Sequence, residues 1–157
     1  MLTTDNIIFE ILTDAKDDGN ELLNKFHIGY PSKKLTEESN AIYVATVSSE
    51  VNNSGFDFQD FTDLVEILIT TKIRDYERSQ LVIKTVCTEI TKLILNNHDK
   101  FPNKPVVRTI TPELNKDYVL TRGHLMVQVK TEPINLETDE ATITHVCNII
   151  DRSDKDD

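Results

Sequence analysis

Tryptophan is absent from this chain, and glycine occurs only four times. Few positions can therefore take the left-handed conformations that tight turns demand. Cysteine is nearly as scarce, with Cys87 and Cys147 far apart. A disulfide scaffold or a four-cysteine zinc site needs more, so the expectation is a reducing compartment and two free thiols. No apolar run approaches the ~20 residues of a membrane-spanning helix. The first one, Ile7-Ile8-Phe9, is interrupted by Glu10 and lacks a basic flank, so no secretory signal is expected. The glycosylation sequon at Asn52-Asn53-Ser54 is then read as chance.

Positive charge is also short. Lys and Arg total 17 against 27 Asp and Glu, giving a net charge of −10. Nucleic-acid affinity comes mostly from cations that neutralise phosphates, so the balance argues against a phosphate-tracking surface, and no run of basic residues supports a local basic patch. The best basic cluster, at Lys33 and Lys34, is balanced by Glu37 and Glu38. The acidic excess suits solubility, or a surface past which DNA moves without sticking.

Chemistry-bearing motifs are missing too. There is no phosphate-binding glycine loop, no nucleophile elbow and no histidine pair at zinc-protease spacing. His145-x-Cys147 lacks a second ligand pair, and Asp14, Asp17 and Asp18 lack the spacing and the bidentate glutamate of a calcium loop. Cys87 falls on an apolar helix row, where a cysteine acts as a small core residue. His27 and His98 sit near element ends and suit turn or cap roles. The expectation is no catalytic residue, no metal ligand and no cofactor.

What is present is enough for one globular domain. A chain of 157 residues, 38% apolar and 28% charged, can bury roughly 70% of its unfolded surface without a staple. Residues 4–16 place Ile7, Ile8, Ile11, Leu12 and Ala15 on one helical face, with Thr3, Thr4 or Asp5 as cap. Aspartates 17 and 18 oppose the helix dipole, so that end is expected to fray. Within 20–30, Leu22, Leu23 and Phe26 suit a short helix and Phe26, Ile28 and Tyr30 suit a strand; the preferred reading is a short strand over 27–30, stopped by Pro31. Residues 41–51 are apolar on both faces at their start, as a central strand requires. A loop over 51–61 leads to a second strand, 64–73, in which Val65, Ile67, Ile69 and Ile73 share a face. Residues 77–97 form the main helix, capped by Asp75, with a stripe of Val82, Val86, Ile90 and Leu93 widened by Ile83, Cys87 and Ile94.

Strands at 106–111 and 118–131 then make a hairpin, with Leu125, Val127 and Val129 opposite Arg122, His124, Gln128 and Lys130. Gly123 within it marks a bulge or a close backbone approach. This order predicts an α+β fold, a two-layer sandwich whose mostly antiparallel sheet is covered on one face by the long helix and the N-terminal helix. The domain spans 1–133. An extension over 134–150, with 142–150 helix or strand, packs on its own domain or on a neighbour, and 151–157 is a disordered acidic tail.

Two stretches are candidate contact elements. Phe56, Phe58 and Phe61 alternate with acidic residues and either tuck under the sheet edge or present an aromatic anchor. The hairpin over 112–123 contributes Leu114, Tyr118, Arg122 and, just beyond, His124, on a long template for pairing with another chain.

The element order, and the stretch Lys116-Asp117-Tyr118-Val119-Leu120-Thr121-Arg122-Gly123-His124 with the strand that follows, resembles the tail terminator, or tail-completion, proteins of long-tailed bacteriophages and proviruses. The resemblance covers roughly residues 4–133. It implies a non-enzymatic virion assembly protein that forms a ring, commonly a hexamer, on the end of the tail tube. That ring meets the tube protein on one side and the head connector on the other, and DNA crosses its lumen without specific binding. It also implies a cytoplasmic location during assembly and the virion tail afterwards. A head-closure or other head–tail connector protein is the neighbouring reading. A small ligand-binding domain or enzyme is the reading from another class.

Overall fold

The computed structural model describes residues 3–31, 40–54, 58–110, 122–131, 134–135 and 140–155. The first helix, α1, spans Thr4–Asp17 and buries Ile7, Ile8, Ile11 and Leu12. Its C-terminal end is closed rather than frayed. Gly19 takes φ 93°, which lets its N–H reach the Lys16 carbonyl at 3.1 Å and the Asn20 N–H reach the Ala15 carbonyl at 3.0 Å. A left-handed glycine cap supplies two bonds to otherwise open carbonyls, and these outweigh the adverse aspartate charges.

Asn20 Oδ1 then accepts from the Leu22 and Leu23 N–H groups at 3.1 and 3.0 Å. This starts a 3-10 turn, Leu23–Lys25, followed directly by strand β1, His27–Gly29. The expected strand is therefore present, one residue shorter than 27–30, and a helical turn over the residues before it accompanies it.

Strands β2, Ala41–Ser54, and β3, Phe58–Thr70, form a long antiparallel hairpin. The expected loop over 51–61 is corrected: β2 runs on to Ser54, β3 begins at Phe58, and Val51, Asn53 and Ser54 pair with Phe61, Asp60 and Gln59. Hairpin pairing is local and uses the backbone, so it needs no apolar face, and the polar run over 52–54 misled the sequence reading. Two register shifts, at Thr46/Ser48 and Val51/Asn53, interrupt the ladder, and such bulges increase local twist.

Helix α2, Tyr76–Asn96, follows β3. Its cap is the one expected: Asp75 Oδ1 accepts from the Arg78 N–H at 3.0 Å. Its buried stripe is Ser79, Ile83, Val86, Cys87, Ile90 and Ile94, with Val82 and Leu93 only partly buried. The centre thus lies on the Ile83–Ile94 row, not the Val82–Leu93 row. Both rows are apolar, and the side on which α1 and the sheet converge decides between them. Among the described residues the buried Ser79 hydroxyl has no hydrogen-bond partner, at a cost of about 1–3 kcal/mol.

Strand β4, Val106–Ile110, and strand β5, Arg122–Lys130, pair antiparallel, and β5 returns between β3 and β4. The sheet order is β1-β2-β3-β5-β4, with the short β6, Ile134–Asn135, pairing with the start of β3. Among the described residues only the β1–β2 pair is parallel. Opposite Gly123 the β3–β5 register is unbroken, with Ile69 facing it, so this glycine marks a close approach and not a bulge.

The architecture is the expected two-layer α+β arrangement. Ile42, Val44, Val65, Ile67, Ile69, Leu125, Val127 and Val129 meet α1 and α2 in one core. Burying each such side chain contributes roughly 1.5–3 kcal/mol before chain entropy is charged. The last helix, α3, spans Glu140–Lys155. It settles 142–150 as helix, and it carries five residues of the expected disordered tail, 151–155, into the same helix. No helix among the described residues is long and apolar enough to cross a membrane.

Candidate functional site

Strand alternation divides the sheet cleanly. The rows that do not face α1 and α2 are Tyr43–Leu68–His124, Ala45–Glu66–Met126–Arg108 and Ser48–Leu64–Gln128–Val106, read across the strands. Leu64, Glu66, Leu68, His124, Met126 and Gln128 are all half-buried, while Ala41, Tyr43, Asp60 and Thr70 on the same face are buried. His124 Nδ1 lies 2.8 Å from Glu66 Oε1. That bond ties β5 to β3 across the face.

Arg122, at the exposed start of β5, shares this face with His124. At the other end of β5, Lys130 Nζ lies 3.9 Å from Asp60 Oδ2. Strands β4 and β5 contain Arg108, Arg122, Lys130 and His124 and no carboxylate, in a chain whose acidic residues outnumber its basic ones by ten.

The structure brings only some of the sequence-derived contact residues together. Arg122 and His124 lie side by side on the open face. Phe61 is half-buried on the helix-facing side of β3. Its backbone is tied to the end of β5: the Phe61 N–H donates to Thr131 Oγ1 at 3.0 Å, and the Thr131 N–H donates to the Phe61 carbonyl at 2.7 Å. Phe58 opens β3 and pairs with Asn135. Phe56, Leu114 and Tyr118 lie outside the described residues.

Helix α3 is the feature that pattern reading undervalued. Residues 140–153 are all exposed, including Ile143, Val146, Cys147, Ile149 and Ile150. Their spacing forms an apolar row on a helix, and nothing in the described fold covers it. His145 and Cys147, two residues apart on that helix, point about 160° away from each other, so they cannot share a metal. Among the described residues no group of three metal-ligating side chains is gathered. His98 is a cap residue, its Nδ1 3.0 Å from the Leu95 carbonyl.

The two thiols differ sharply. Cys87 is 5% exposed, and burial pushes its thiol up from 9.0 to about 11; Cys147 is exposed. At pH 8 the thiolate fraction of Cys87 is cut about 100-fold relative to an ordinary thiol. A disulfide reagent added to dilute native protein is therefore expected to modify one thiol quickly, Cys147, and the second only on unfolding. Two thiols reacting at similar rates would remove Cys87 from the core.

No protein-family model matches this chain, and no curated protein matches it significantly.

Proposed function

We propose that this protein is a non-enzymatic virion assembly protein of the tail-terminator kind, a ring that caps the tail tube and joins it to the head. One observation carries the reading: among the described residues nothing covers the apolar row of the amphipathic helix α3, and the sheet face away from α1 and α2 is half-exposed over β3 and β5. A chain built this way acts through surfaces. The element order, an N-terminal helix, a long hairpin, a long helix and a returning strand, supports the resemblance over its described part. The net charge of −10 suits a lumen that DNA crosses without being held. In this reading the partners are further copies of the chain, the tube protein and the head connector, first in the cytoplasm and then in the tail.

Mass measurement across a concentration series, alone and with purified tail tubes, tests the proposal. The expected result is a closed oligomer that binds the tube end. A protein that stays monomeric at high concentration and never joins tubes overturns it, and binding to the portal end moves the role to head closure. A second reading, a small ligand-binding or catalytic domain, rests on the His124–Glu66 pair beside Arg122.

A further inference from the structure

We draw no further inference here: the strongest candidate, the exposed apolar row of Ile143, Val146 and Ile150 on α3, is an unpartnered helix face, and nothing among the described residues shows what covers it.

Discussion

Gly123→Ala is expected to lower the unfolding free energy by about 1–2 kcal/mol, although it adds a single methyl group to a strand. A Cβ at this position would stand 2.5 Å from Ile83 Cγ2, with Cys87 Sγ at 3.5 Å and Ile83 Cβ at 3.8 Å. The atom in the way is not the far end of a long chain. It is the branch methyl of an isoleucine 2% exposed, and β-branched side chains in helices hold nearly a single rotamer. Either α2 lifts from β5 or Ile83 leaves its rotamer. Overpacking of this kind costs about 1–3 kcal/mol, from which the reduced entropy of the unfolded chain returns about 0.4–1 kcal/mol. Urea unfolding should show a lower midpoint at an unchanged slope. The diagnostic variant is the double, Gly123→Ala with Ile83→Ala. The second change removes the obstructing methyl and leaves space that the first one fills, so the pair should be more stable than the sum of the singles by about 0.5–3 kcal/mol. Strict additivity would mean that α2 and β5 do not meet at this glycine.

That contact also shows how far the sequence can be read. A glycine inside a strand pattern predicts a close approach or a bulge, and only the continuous pairing of Ile69 with Gly123 chooses between them. The helix-facing rows of β3 and β5 were legible because a one-sided sheet writes its burial as alternation. The α2 cap was legible because capping is local. What failed was non-local or degenerate. Val82 and Ile83 are both apolar, and the position of α1 decides which one faces the core. The polar tip of the β2–β3 hairpin carries no alternation, so its ladder left no trace in composition. The row on α3 read equally well as strand or helix, and its exposure is a property of what surrounds it. Arg122 and His124 were placed correctly on one face, whereas the pairing of His124 with Glu66 joins strands 58 positions apart and has no signature in either segment.

Asp63→Ala is expected to cost about 2 kcal/mol, more than a partly exposed carboxylate ordinarily contributes, because two hydroxyls depend on it. Asp63 Oδ2 accepts from Thr4 Oγ1 at 2.7 Å, and Oδ1 accepts from Ser49 Oγ at 2.6 Å. Thr4 is the first residue of α1 and is only 4% exposed. One carboxylate on β3 thus fixes the start of α1 and the middle of β2. It also places negative charge beside the positive end of α1, which adds a smaller, salt-screened stabilisation. Truncation leaves the Thr4 hydroxyl buried without a partner, and that orphan carries most of the cost; the Ser49 bond lies at the exposed side of the hairpin and contributes less. Asp63→Asn, which keeps one acceptor oxygen, should lose about half as much. Thr4→Val removes the dependent hydroxyl at nearly constant shape, so adding it to Asp63→Ala should cost little further or restore stability. Urea unfolding of the four proteins at low and high salt separates the contributions: the hydrogen-bond loss persists in salt, and the dipole part fades. An Asp63→Ala protein within 0.5 kcal/mol of wild type would show that α1 is held by its apolar face alone.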